Sequence, residues 1–150
     1  MINRRTFIKL VGAGGILTLF SVPARLVAGG IQRPKDPSNL SDFERLHTPV
    51  VRAPKLPQDG RFVPFRVELP EHPMDEDHYI KSIEIIDPQS VVKEKGIFSL
   101  TPALGRATVS TRLKMADGKH AVRVIAECSK HGKWETVFHL SAVGGQCKEN

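Results

Sequence analysis

Ala121-Val122-Arg123-Val124-Ile125-Ala126-Glu127-Cys128-Ser129-Lys130-His131-Gly132-Lys133-Trp134-Glu135-Thr136-Val137-Phe138-His139-Leu140 alternates twice, on either side of a short polar break. In the first run Val122, Val124, Ala126 and Cys128 share a parity; in the second Trp134, Thr136, Phe138 and Leu140 do. A period of two marks a half-buried strand, so Cys128 ends the first strand on its core side. The same pattern recurs outward from this pair. Phe65, Val67 and Leu69 oppose Arg66 and Glu68 in residues 62–69, and Ile83 and Ile85 share a face in residues 79–86, which Asp87-Pro88 closes. A short run covers residues 97–100. Residues 107–113 alternate Ala107, Val109, Thr111 and Leu113 against Thr108, Ser110 and Arg112, and Asp117-Gly118 reads as a hairpin turn. About seven short strands with frequent turns predict an all-β fold, an immunoglobulin-like antiparallel β-sandwich.

Composition agrees. Eleven prolines, twelve glycines and one tryptophan in 150 residues describe a loop-rich chain of strands rather than a helical bundle. The formal charge of +6 is concentrated at the start, where Arg4, Arg5, Lys9 and Arg25 have no acidic neighbour. Without them about +2 remains, which argues against nucleic acid as a partner. Two cysteines, Cys128 and Cys147, are too few for a disulfide framework.

Residues 1–28 read as a cleavable twin-arginine signal segment. Asn3-Arg4-Arg5-Thr6-Phe7-Ile8-Lys9 precedes an apolar run, residues 10–20, that is short for a bilayer span. Cleavage after Ala24 and after Ala28 both fit, and an uncleaved anchor is the alternative. The expected destination is the periplasm, reached by export of the folded chain, a route that suits a protein loaded with metal beforehand. Residues 29–41 form a linker, 42–143 the domain, and 144–150 a flexible tail.

Histidines and a cysteine stand at recurrent positions. His72 and His78 bracket the acidic turn Asp75-Glu76-Asp77, and Cys128 and His131 are three apart at a strand end. His47 lies before Thr48-Pro49; the proline favours an extended backbone at Thr48 and puts His47 at the start of a strand. Four imidazoles and one thiolate would fill five positions of an octahedral ion and leave a sixth open, which suits iron better than a closed four-ligand zinc site. Ordinary loop histidines remain the alternative from spacing alone. His120, in an expected turn, and His139 stand outside the pattern.

His47-Thr48-Pro49-Val50-Val51, His72-Pro73-Met74 with His78-Tyr79-Ile80, and Cys128-x-x-His131-Gly132-x-Trp134-Glu135 resemble, in the same order, the superoxide reductases of the desulfoferrodoxin–neelaredoxin family. The resemblance implies an immunoglobulin-like sandwich around non-haem iron cycling between Fe2+ and Fe3+. His47, His72, His78 and His131 would be equatorial ligands and Cys128 axial. It also implies one-electron reduction of superoxide to hydrogen peroxide at the open sixth position. An external electron donor, such as a small redox protein, would restore the iron. A homo-oligomer is compatible with this reading. The four-cysteine domain of some members is absent, so the likeness is to the single-iron class. Family members commonly place a glutamate and a lysine just before the first histidine. Here Glu44 is the candidate sixth ligand, Leu46 stands where lysine is common, and Arg45 is the candidate cation, suited to steering rather than proton delivery.

A second resemblance concerns Asp59-Gly60-Arg61-Phe62-Val63-Pro64, Phe98-Ser99-Leu100-Thr101-Pro102 and Gly105-Arg106-Ala107-Thr108-Val109-Ser110-Thr111-Arg112. These look like SoxY, the sulfur-carrier subunit of the periplasmic thiosulfate-oxidising system. That likeness implies a carrier thiol at Cys147, in Gly144-Gly145-Gln146-Cys147, and a SoxZ-like partner. An inert tail thiol, or a disulfide with Cys128, are the other readings of Cys147.

Overall fold

The computed structural model describes residues 30–59 and 62–144, and in it the alternating runs fold as strands. In chain order these are β1 (Val50–Arg52), β2 (Val63–Leu69), β3 (Ile80–Ile86), β4 (Glu94–Ser99), β5 (Ala107–Leu113), β6 (Gly118–Cys128) and β7 (Gly132–Ala142). Among the described residues one α-helix, α1 (Asp42–His47), precedes them. Two antiparallel sheets result, β1-β2-β5 and β4-β3-β6-β7. Lettered along the chain as A to G, with β4 as C′, this is ABE against C′CFG, an immunoglobulin-like connectivity.

The core lies between the sheets, as the parity of the strands requires. Phe65, Val67 and Leu69 of β2 face Ile83 and Ile85 of β3 and Val122, Val124 and Ala126 of β6. Cys128 continues the inward row of β6 and is buried at its end. Glu68 departs from the expected alternation. It is nearly buried on the polar face of β2 because Arg52 and Arg66 both pair with its carboxylate.

Asp117-Gly118 does not make a hairpin. β5 pairs with β2, whereas β6 pairs with β3 and β7, so this turn carries the chain from one sheet to the other. Gly118 has φ +124°, a conformation open to glycine and strained for other residues. His120 is likewise neither in a turn nor bland. It is buried in β6, with Nδ1 2.8 Å from Asp87 Oδ2 and Nε2 2.9 Å from the Ala116 carbonyl oxygen. Ser90 Oγ donates to the same Asp87 oxygen at 2.5 Å. This polar cluster ties the turn after β3 to the first residues of β6.

The segment read as a linker docks in part on β7. Gln32 forms a parallel bridge with Trp134, and further along the same edge Ser141 N–H donates to the Lys55 carbonyl at 2.8 Å. Both contacts cover backbone groups that an edge strand would otherwise expose. Among the described residues no helix is long and apolar enough to cross a membrane. The twin-arginine segment and Cys147 lie outside the described residues.

Candidate metal centre

Three chain segments deliver the site to one end of the sandwich. The first is α1. Ser41 caps it: its side chain accepts from Glu44 N–H, and the Glu44 carboxylate accepts from Ser41 N–H at 3.0 Å. Thr48 is extended, with φ −79° and ψ 121°, as Pro49 requires. His47 is therefore the last residue of a helix rather than the first of a strand. The Ser41-x-x-Glu44 pattern is a capping box, the sequence signal that announces this helix.

The second segment is the loop between β2 and β3. Asp75 and His78 exchange backbone hydrogen bonds of 3.1 and 3.2 Å, and the exposed acids Asp75, Glu76 and Asp77 form the solvated turn between the two rings. The third is the turn joining β6 to β7. Ser129 N–H donates to the Tyr79 carbonyl at 2.9 Å, and Tyr79 N–H donates to Ser129 Oγ at 3.1 Å. These bonds fasten the Cys128–His131 turn beside His78, and Lys130 reaches Asp77 at 3.0 Å across the same junction.

The four rings form a closed circuit. Centroids are 5.1 Å apart for His47–His72, 4.7 Å for His72–His78, 4.9 Å for His78–His131 and 4.7 Å for His131–His47. Neighbouring rings stand edge to face, while His47 and His78 oppose each other across 5.9 Å at 33°. The ligand atoms of His47, His78, Cys128 and His131 all lie within 4.8 Å of one another. His72 completes the ring circuit but is not one of that tighter group.

Each ring has a defined nitrogen to offer. His47 Nδ1 donates to the Phe43 carbonyl at 2.7 Å, and His72 Nδ1 donates to the Pro73 carbonyl at 2.6 Å. A backbone acceptor on one nitrogen fixes the tautomer and frees the other as a donor to metal. The freed Nε2 of His72 is buried without a partner, and so is Nε2 of His78. A buried polar atom lacking a partner is costly, and a metal ion would satisfy both. His131 turns the other way. Its Nδ1 is 2.9 Å from His47 Nε2 and 3.6 Å from Cys128 Sγ. Two nitrogens each about 2.1 Å from one ion, at right angles, would be about 3.0 Å apart. The donor set therefore fits a first-row metal.

Burial is the main cause that lowers the pKa of His47, His72 and His131. His72 is pushed down to about 4, with the neighbouring imidazoles adding to the effect of burial. These three rings are thus neutral and ready for a cation at neutral pH. Two aromatic residues shield it. Trp134 stacks on His47 at 5.4 Å, and the half-exposed Phe43 ring lies 4.5 Å from His47 and 5.1 Å from His131. Neither contact has a local signal in the sequence: Trp134 shares the parity of a buried strand face, and Phe43 lies in a helix announced only by its capping box.

A desulfoferrodoxin family profile matches residues 39–137, which span all five of these residues. The chain belongs to the desulfoferrodoxin family. It is accordingly an oxidoreductase, and non-haem iron is the metal its imidazole–thiolate set serves. Solved structures share the fold. The superoxide reductase (neelaredoxin) of Ignicoccus hospitalis has TM-score 0.60 and 22% identity, over 75% of this chain and 95% of that one. The reduced-form neelaredoxin of Archaeoglobus fulgidus has TM-score 0.52 and 18% identity, over 74% and 98%. The superoxide reductase of Nanoarchaeum equitans has TM-score 0.52 and 17% identity, over 74% and 100%. No curated protein sequence matches the chain.

The stretches that resemble a sulfur carrier fall inside this desulfoferrodoxin domain, and the sulfur-carrier likeness finds no support. Glu44 and Arg45, the two residues expected to act on the substrate, make their hydrogen bonds at the start of α1. Both Glu44 oxygens serve the helix start, accepting from Lys35 N–H at 3.0 Å and from Ser41, and these bonds hold its pKa down to about 2. Arg45 is exposed, and its guanidinium contacts the Leu40 carbonyl at 3.5 Å.

Proposed function

We propose that the chain is a single-iron superoxide reductase. His47, His72, His78 and His131 would hold the metal together with the Cys128 thiolate. The observation that carries this reading is the closed circuit of four imidazoles with Cys128 Sγ 3.6 Å from His131 Nδ1. Iron held there would supply the one-electron chemistry that takes superoxide to hydrogen peroxide, with two protons and an external electron donor completing the balance.

The residues of the chain prepare that step. Phe43 and Pro73 carbonyls hold the His47 and His72 rings with Nε2 directed away from the backbone acceptor. Trp134 and Phe43 keep bulk water from the His47 ring. Arg45, exposed and permanently charged, would attract an anion rather than donate a proton. For Glu44 to approach the metal, its bonds to Ser41 and Lys35 must first break, so the capping box opposes that movement. The twin-arginine segment supports export of the folded, metal-loaded domain to the periplasm.

Metal analysis of the purified protein tests the reading. About one iron per chain is expected, with a thiolate-to-iron charge-transfer band on oxidation. Superoxide should be consumed without release of oxygen. Cys128→Ala should abolish the band and Cys147→Ala should leave it intact. Absence of iron, or release of one oxygen for every two superoxides consumed, would overturn it.

A further inference from the structure

The residues just before the domain are bound to the back of the metal turn. Gln32 N–H donates to the Lys133 carbonyl at 2.8 Å, and Glu135 N–H donates to the Gln32 carbonyl at 2.9 Å. These two bonds place the Gln32 side chain over the β6–β7 turn. There its Nε2 donates to the His131 carbonyl oxygen at 2.7 Å. Next along the chain, Arg33 pairs with Glu135, whose carboxylate is fully buried and also held by Arg123. A buried carboxylate with two guanidinium partners is a fixed anchor, because releasing either partner leaves charge poorly compensated. Burial acts to raise the Glu135 pKa, but the two arginines outweigh it and the group stays below its usual range.

His131 is the ring that needs such support. It alone presents Nδ1 to the site, while His47 and His72 offer Nε2. Nδ1 lies next to the ring's attachment point, so its position follows the backbone of residue 131 more closely than an Nε2 would. The next residue, Gly132, has φ +76°, a conformation that glycine adopts easily and other residues do not. The turn is fastened on one side by Ser129 to Tyr79 and on the other by Gln32.

We propose that Gln32 is a positioning residue for the metal centre, holding the His131 carbonyl so that Nδ1 faces Cys128 and His47. This inference rests on the proposed metal site. Outer hydrogen bonds to metal ligands are commonly worth ten- to hundredfold in metal affinity.

Co2+ binding to the metal-free full chain, followed by competition with a chromophoric chelator, tests it at pH 8 and at a temperature where every variant is folded. Gln32→Glu keeps the size of the side chain and the strand pairing but turns the donor into an acceptor facing a carbonyl. Gln32→Ala removes the contact outright. Both should bind Co2+ about tenfold more weakly than the wild type and retain a thiolate-to-cobalt band from Cys128, displaced in energy. If wild-type protein binds Co2+ with a thiolate band but Gln32→Glu matches its affinity within about twofold, the positioning role is overturned while the metal site stands. If the wild type gives no thiolate band, the metal site fails and the inference falls with it.

Discussion

Asp87→Ala should destabilise the metal-free domain far more than a surface change. The Asp87 and His120 side chains are 0% and 2% exposed. The carboxylate accepts from Ser90 Oγ at 2.5 Å and from Gln89 N–H at 3.3 Å, and lies 2.8 Å from His120 Nδ1. Truncation leaves a buried imidazole nitrogen and a buried hydroxyl without their acceptor. Breaking a buried pair by removing one member costs on the order of 3–5 kcal/mol. A domain of this size has roughly 5–15 kcal/mol of stability in all. In urea, with a slope of about 2 kcal/mol per molar, the midpoint should fall by about 2 M. The assay is equilibrium urea unfolding, with His120→Gln and the double variant completing a thermodynamic cycle. A coupling energy of about 1.5 kcal/mol or more is expected, since the two side chains touch. A midpoint shift below about 0.5 M, or additive single effects, would refute the claim that this pair joins the β3–β4 turn to β6.

Other outcomes follow from the site. Metal-free protein should lose stability as pH falls from about 6.5 to 4, because the unfolded chain binds protons that buried His72 refuses until about 4. The shift corresponds to on the order of 3 kcal/mol for His72, with His47 and His131 acting in the same direction. His72→Gln should flatten a plot of urea midpoint against pH over that range, and an unchanged slope would count against the burial of this ring. Ser41→Ala removes the cap of α1 and should cost about 1 kcal/mol in urea unfolding. It should also weaken Co2+ binding, because α1 carries His47. Arg33→Ala leaves Glu135 with Arg123 alone, so thermal unfolding should occur at lower temperature, and Glu135→Gln in that background should recover part of the loss.

Much of the fold was legible from alternation. Residues 107–113 and the inward rows of β2, β3 and β6 lie where the period of two placed them, since one face of each strand must be dry. Pairing was not legible. Nothing local tells Asp117-Gly118 whether the next strand returns to the same sheet, because that depends on partners distant in the chain. α1 is hard to read for a different reason: it is only six residues long, and its signal, Ser41-x-x-Glu44, rests on a carboxylate that also suits a metal. The same carboxylate cannot serve both roles at once.

The sequence by itself determined the ligand types, their order, and the strand that presents Cys128 inward. These depend on side-chain chemistry and on parity, which neighbouring residues fix. Tertiary structure alone decided that His47, from a helix end, His72 and His78, from a loop, and Cys128 with His131, from a hairpin turn, converge on one point. It also decided which nitrogen each ring offers, because the Phe43 and Pro73 carbonyls select the tautomers of His47 and His72. The same holds for Gln32 and His120, residues 99 and 33 positions from the partners that give them meaning. Contacts between chemically ordinary residues leave no local pattern, and only the packing of the two sheets brings them together.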